Sequence, residues 1–386
     1  MSLAQRTEHL RPEGAYQVLA RAQELEAGGK DIIHLEIGEP DFRTPANVSM
    51  AGIGAIASGQ TRYNPPPGLP RLREAVAEFA GEQRGLKFKA GQVVIGPGAK
   101  PILFFPTLAL VNPGDEVIYP DPGFPTYEAM IEVAGGVPRP VPLKEENQFS
   151  FDLAAFDKLL GPKTKLIILN SPSNPTGGVM PQADLEHIAK DAIERDCWVL
   201  ADEIYTHLLY DGMSAPSIAS VPGMAERTII LDGFSKTYAM TGWRLGFGIM
   251  PEELADRVGL LLTHSIGCTA HFTQIAGIEA LTGPQDYVQM MVQQYQKRRD
   301  LLVDGLNRLT GIRCQKPQGA FYVFPNIRGT GKASGELANL FLDHGVAVLP
   351  GSAFGMYGEG YLRLVFANSL ENIEQALERM ERALKR

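Results

Sequence analysis

Six short apolar runs, each stopped by turn or polar residues, leave this sequence few folds to choose from. They read "QVVIGPG", "DEVIYPDP", "TKLIILNSP", "CWVLADE", "RTIILDGF" and "WRLGFGIM", and each has the length and β-branched content of a buried strand. Between them lie helical patterns such as "PQADLEHIAKDAIERD", where Leu185, Ile188, Ala189 and Ile193 fall on one face. A strand that is apolar on both sides has to be covered on both sides. Alternation with helices therefore implies an α/β fold, a mostly parallel sheet covered by helices, in a large domain spanning 47–283. After position 283 the pattern changes. "DYVQMMVQQYQKRRDLLVDGLNRL" is a long helical stretch, followed by "GAFYVFPNI", a helix over 333–344 and "YLRLVFAN". These read as a smaller α+β domain, 284–386 joined by 1–46, and the helix over 16–27 could dock onto either part. Nothing resembles a long flexible linker, so the two domains should share an interface.

The length of 386 residues, 44% of them hydrophobic, allows about two domains with a large core. A net charge of −8 argues against nucleic acid or an anionic membrane surface as the main partner. Cys197, Cys268 and Cys314 are odd in number, far apart and without metal-ligand spacing, so reduced structural thiols are expected, with neither a disulfide framework nor a metal site. "MSLAQRTEHLRPEG" is polar where a signal peptide needs an apolar core. "PILFFPTLALV" is interrupted by Pro106 and too short to span a bilayer. A cytoplasmic protein is expected.

In open α/β sheets ligands sit beyond the carboxyl ends of the strands, so the residues at which each apolar run stops carry the information. After "VVI" come Gly96, Pro97, Gly98, Ala99 and Lys100, then a helix; free N–H groups at a helix start can cradle a phosphate, although a plain tight turn has the same sequence. After "LIIL" come Asn170 and "SPSNPTGG"; after "WVLA" come Asp202, Glu203 and Tyr205; after "TIILD" come Gly233, Ser235 and Lys236. Alone, Asp202 could be a helix cap and Lys236 a surface lysine. Together the four strand ends match one chemistry. A lysine amine forms a Schiff base with an aldehyde cofactor when burial or a neighbouring cation lowers its pKa. Pyridoxal phosphate needs that lysine, a carboxylate to keep its ring nitrogen protonated, and phosphate ligands. Asp202 could hold the ring proton, and Arg244 offers a planar fork for the phosphate.

Here the chain resembles the class I/II aminotransferases, the fold-type I pyridoxal-phosphate enzymes. The likeness rests on "GFSKTYAMTGWRLG", "NSPSNPTGG", "ADEIY", "IGEPDFRTP", "YNPPPGLPRLREAVA" and "YLRLVFANS", in the family's order from Gly38 to Ser369. The resemblance implies roles at matching positions. Lys236 would carry the cofactor and, once released by substrate, shuttle the proton at the α-carbon. Asp202 would pair with the pyridine nitrogen, Tyr205 and Asn174 with the ring 3-oxygen, and Phe124 would stack on the ring. Gly98, Ala99, Lys100, Ser235 and Arg244 would surround the phosphate. Arg363 would grip the substrate α-carboxylate, helped by Gly38 and Asn174. An arginine inside "YLRLVF" is costly to bury unpaired, which independently suits an anion site. Tyr63 matches a tyrosine that reaches the neighbouring subunit's phosphate, so a homodimer with shared sites is implied. Gly233 departs from the pattern, since many relatives place a phosphate-binding serine there.

The resulting expectation is a transaminase that moves an amino group between an L-amino acid and a 2-oxo acid in ping-pong half-reactions. A carbon–sulfur β-lyase on the same fold is the enzymatic alternative, and a non-catalytic binding protein is a third class. For the donor, the helix after the glycine turn reads "ILFFPTLAL" without a cation, which leaves Lys100 and Arg11 as possible partners for an acidic side chain. A neutral, apolar or aromatic donor is expected, with 2-oxoglutarate or pyruvate as acceptor.

Overall fold

In the computed structural model, which describes residues 4–8, 10 and 12–385, the apolar runs form one sheet. A helix, Gly14–Ala27, and a two-residue strand, β1 (Ile33–His34), come first. Then β2 (Val93–Gly96), β3 (Glu116–Asp121), β4 (Val137–Pro142), β5 (Thr164–Asn170), β6 (Trp198–Asp202), β7 (Thr228–Gly233) and β8 (Gly246–Ile249) assemble in the order β2-β8-β7-β6-β5-β3-β4. Strands β3 to β7 pair in parallel, and β8 runs antiparallel to both β2 and β7. All six anticipated strands are present. The seventh, β4, has the sequence VPRPVP, whose prolines cannot donate to a ladder; such a strand belongs at a sheet edge, which is where it lies.

The helix Gln182–Glu194 buries Leu185, Ile188, Ala189 and Ala192. Ile193, expected on that face, is instead 40% exposed, because the 185-188-189-192 spacing already closes the helical period. Farther on come the helix Asp286–Leu306, β9 (Tyr322–Val323), the helix Ser334–Asp343, β10 (Val346–Ala347), β11 (Leu349–Pro350), β12 (Leu362–Val365) and a final helix, Leu370–Leu384. Strand β12 is flanked by β11 and β9, both antiparallel to it. β1 pairs in parallel with β10, so the N-terminal segment joins the C-terminal part. The helix Gly14–Ala27 follows it there, packing on β10 and β11 with Ala22 buried beside Ile32, Leu342 and Ala347. The final helix begins at Ser369, whose side chain accepts from Asn372 N–H, and it buries Ile373, Ala376, Leu377 and Met380.

One apolar cluster runs from Val117 and Ile168 in the large sheet to Leu302, Phe341 and Leu364. The sheet and the C-terminal elements therefore share a core, as the missing linker implied. The three cysteines are free, with Cys197 and Cys314 buried. Among the described residues no helix is long and apolar enough to cross a membrane.

Candidate active site

Strands β5, β6 and β7 end side by side, with Asn170 opposite Asp202 and Asp202 opposite Leu231. Their carboxyl ends open into a cavity of about 560 Å³. Strand alternation points Asp202 into it and sends Glu203 to the other side, where Glu203 pairs with the buried Arg84 at 2.5 Å. β7 stops at Gly233 and feeds a one-turn helix, Phe234–Thr237, whose third residue is Lys236. The Lys236 Nζ donates to the Gly38 carbonyl at 2.7 Å. Gly38 has no room for a side chain, because a Cβ there would lie 2.3 Å from the Tyr322 hydroxyl.

At one end of the cavity β2 turns through Gly98 (φ +95°) into the helix Lys100–Leu110, which places the Gly98, Ala99 and Lys100 amides at a positive helix end. Arg244 lies against this turn. It holds a left-handed φ of 53°, is exposed, and donates from Nη1 to the Thr241 carbonyl at 2.9 Å. A backbone conformation that side chains avoid, beside a helix start and lining a cavity, suits an anion-binding arginine. Arg363, from β12, also lines the cavity and is buried. Its Nη1 donates to Asn174 Oδ1 at 3.1 Å and its Nη2 to the Glu36 carbonyl, while its Nε has no acceptor. A buried guanidinium with an unused donor is a site for an anion.

Burial sets the electrostatics. It raises the Asp202 carboxyl to about 6, against the pull of the Tyr127 hydroxyl at 2.7 Å and the Ile204 N–H at 3.3 Å, which both favour the carboxylate. Burial also lowers the Lys236 amine to about 8 although the residue is partly exposed; Arg363 and Arg244 push the same way, and Glu39 and Asp202 oppose them. The Tyr205 hydroxyl lies 2.7 Å from that of Tyr322, and burial raises both phenols above their ordinary value.

The cavity brings together Gly38, Ala99, Lys100, Phe124, Asn174, Asp202, Tyr205, Ser235, Lys236, Arg244 and Arg363. Gly98 sits just behind Arg244: a Cβ on it would lie 2.3 Å from Arg244 Nη2. Tyr63 is outside the cavity and 98% exposed. Gly233, the departure from the family pattern, has only 3.1 Å between a would-be Cβ and Gly246 Cα, so the close approach of β7 to β8 favours glycine. The sequence reading missed Tyr127, which donates to Asp202, and Tyr322, which supports Tyr205 and shields Gly38. Both stand in stretches it singled out, "DPGFPTY" and "GAFYVFPNI", but as neighbours of other residues. It also missed Glu13, which lines the cavity and pairs with Lys100.

Comparison with known proteins agrees with this architecture. The sequence model for aminotransferase class I and II matches residues 30–380. The chain is 42% identical to an aspartate aminotransferase of Pyrococcus abyssi, over 94% of each chain. It is 40% identical to aromatic-amino-acid aminotransferase 2 of Thermococcus litoralis, over 100% of this chain and 99% of that one. Among solved structures, the aspartate aminotransferase of Thermus thermophilus with maleate superimposes with a TM-score of 0.95 at 38% identity, covering 99% of this chain and 100% of that one. With strand order, cavity and sequence in agreement, the chain belongs to the class I and II aminotransferases, pyridoxal-phosphate enzymes that pass an amino group between an amino acid and a 2-oxo acid.

Proposed function

We propose that this cavity carries amino transfer through Lys236, Asp202 and Arg363, with a neutral, apolar or aromatic amino acid as the preferred donor. The convergence of a partly buried amine, a buried carboxylate and a buried guanidinium on one cavity carries the reading. The residues also fit the cofactor: the helix start at Gly98, Ala99 and Lys100, with Ser235 and Arg244, would hold its phosphate, and Asp202 its ring nitrogen. Phe124 would cover the ring face, and Tyr205 and Asn174 would meet the ring oxygen. When bound, pyridoxal phosphate supplies an aldehyde for exchange with amines and a ring that takes up the electron pair released at the α-carbon.

The chain's own residues do the rest. Arg363 receives the substrate α-carboxylate, using the Nε that has no protein acceptor. Asn174 gives its Oδ1 to Arg363, which leaves its amide donors for the ligand. Lys236 Nζ, held low by burial, is deprotonated often enough near neutral pH to take the proton from the α-carbon and return it. Asp202 stays ionised above about pH 6 and would keep the ring nitrogen of the bound cofactor protonated. Tyr322 fills the space beside Gly38 that a side chain there would need.

Donor choice rests on what meets the side chain. The helix Lys100–Leu110 offers the cavity no cation beyond Lys100, and that amine is already paired with Glu13. Arg11 lies outside the described residues. A second carboxylate would thus meet a neutralised wall, which is costly in a closed site. The names of the relatives point both ways, to aspartate and to aromatic amino acids.

We further read the chain as a large unit, 47–283, and a smaller one, 1–46 with 284–386, working as a cytoplasmic homodimer. Exposed Tyr63 and the exposed apolar side chains Met50, Ile53 and Ile56 on the helix Ala46–Ala57 support a second copy covering this face. Competition measurements of kcat/KM with 2-oxoglutarate or pyruvate as acceptor test the donor reading. Leucine, alanine or phenylalanine should lead, and a clear lead for aspartate overturns it. Ammonia and pyruvate released without an acceptor would mark the β-lyase instead.

A further inference from the structure

We infer that Asp121 is a positioning residue for carboxylate binding: it holds the segment Gly351–Gly358 against the end of β3, and thereby holds Phe354 on the Arg363 guanidinium. The inference rests on the reading that Arg363 takes the substrate α-carboxylate.

The segment has the sequence GSAFGMYG and forms two single turns, Gly351–Phe354 and Met356–Gly358, joined at Gly355. Side-chain burial does little to hold it, since Ser352, Met356 and Tyr357 are exposed and Phe354 is its one buried side chain. Backbone contacts to the end of β3 hold it instead. The N–H groups of Met356 and Tyr357 donate to the two Asp121 carboxylate oxygens at 3.0 and 3.1 Å. Two residues beyond Asp121, the Gly123 N–H donates to the Phe354 carbonyl at 2.8 Å. Asp121 is the last residue of β3 and is buried. Burial raises its carboxyl to about 6 while the Tyr357 and Met356 N–H groups pull the other way, so at neutral pH these groups meet a carboxylate. Gly355 holds φ +126°, and a Cβ on it would overlap that carboxylate. Only glycine admits both this backbone angle and an acid so close.

Phe354 is where the contact reaches the site. The Arg363 guanidinium carbon lies 4.9 Å from the centre of the Phe354 ring and 4.6 Å from that of Tyr322. Phe354 in turn meets Phe324 edge-on, with 6.4 Å between ring centres. Arg363 Nη1 and Nη2 are engaged by Asn174 and the Glu36 carbonyl and Nε is unused, so the rings help fix the plane in which Nε meets a ligand. A planar fork grips a carboxylate well only in the right plane. Asp121 itself does not line the cavity, so its effect on the ligand passes through Phe354.

The test compares wild-type holoenzyme with Asp121→Asn, which removes the charge and one acceptor, and with Phe354→Leu, which removes the ring. The probe is 3-phenylpropionate, a carboxylate with no amine to react, and its binding is read from the cofactor absorbance. Binding should weaken about tenfold in each variant and no further in the double variant, because both changes act along one path. In the leucine half-reaction the apparent dissociation constant should rise by the same factor while the limiting rate stays within about twofold, a split that loss of folded protein would not produce. The Met356 and Tyr357 amides should exchange with deuterium about tenfold faster in Asp121→Asn. Unchanged 3-phenylpropionate affinity in Asp121→Asn, or losses that add in the double variant, overturns the inference. Should Asp121→Asn fail to fold, Gly355→Ala crowds the same carboxylate off the two N–H groups and should give the same loss; unchanged affinity there overturns the inference as well. Arg363→Lys tests the underlying reading separately. If that variant binds 3-phenylpropionate as the wild type does, the assignment of Arg363 falls and the inference with it, whatever the exchange at Met356 and Tyr357 says of the Asp121 contact.

Discussion

Asp202 and Lys236 are asked to carry charge where burial opposes it. At Asp202 the opposition is partly offset, since Tyr127 Oη and Ile204 N–H both donate to the carboxylate. Asp202→Asn keeps the shape of the residue and loses the charge. The variant should retain cofactor and lose rate by on the order of a hundredfold or more, because a charge pair in a poorly hydrated site is worth several kcal/mol when the electron pair is released. A variant keeping more than about a third of the rate would make Asp202 merely the end of a strand. Lys236 gives a pH prediction. A lysine lowered to about 8 is an ammonium below that pH and a free amine above it. Capture of pyridoxal phosphate by the apoprotein, followed by absorbance, should therefore rise through about pH 8 and level off. A rise continuing into the ordinary lysine range would mean the amine is unperturbed. Both residues were legible in the sequence because one ends a strand and the other follows a strand end within three residues. Tyr127 and Tyr322 were not, since their hydroxyls gain meaning only from partners 75 and 117 positions away.

Elements were legible where a buried strand is apolar throughout, as in β5, β6 and β7. They were illegible where position overrides propensity: β4 is proline-rich because it is an edge, and β10 and β11 are two residues each, too short for any period to show. Gly98 sits where β2 hands over to the helix Lys100–Leu110, and its sequence signal alone could not separate a tight turn from a phosphate cradle. The structure adds two constraints, a positive φ and Arg244 Nη2 within 2.3 Å of a would-be Cβ. The arginine can swing aside, but only by leaving the turn. Gly98→Ala should therefore cost about 1–3 kcal/mol of backbone strain and displace Arg244. Cofactor affinity, measured by equilibrium dialysis, should fall tenfold or more on the scale where about 1.4 kcal/mol is a factor of ten. Unchanged affinity would mean that this turn does not hold the phosphate.

At the scale of the whole molecule, the cavity and Tyr63 pose one question. Every other residue matched to the family lines the cavity or lies directly behind it, whereas Tyr63 is almost wholly exposed. An aromatic residue left in water by one chain, six positions after the helix Ala46–Ala57 with its exposed Met50, Ile53 and Ile56, is accounted for if a second copy brings it to that copy's phosphate. The dimer would then be catalytic as well as structural, and mixing two defective chains can test this. Tyr63→Phe should retain cofactor poorly, and Lys236→Ala should be inactive, since no neighbouring residue supplies a primary amine. In a hybrid dimer, the Tyr63→Phe chain contributes an intact Lys236 to its own site and receives an intact Tyr63 from its partner. The other site collects both defects. Random exchange makes about half the dimers hybrid, so about a quarter of all sites should be restored. Activity and cofactor retention rising to that level, with exchange confirmed by mass-tagged subunits, supports shared sites. Confirmed exchange without recovery means that each chain builds its site alone, and the exposed Tyr63 would then need another partner.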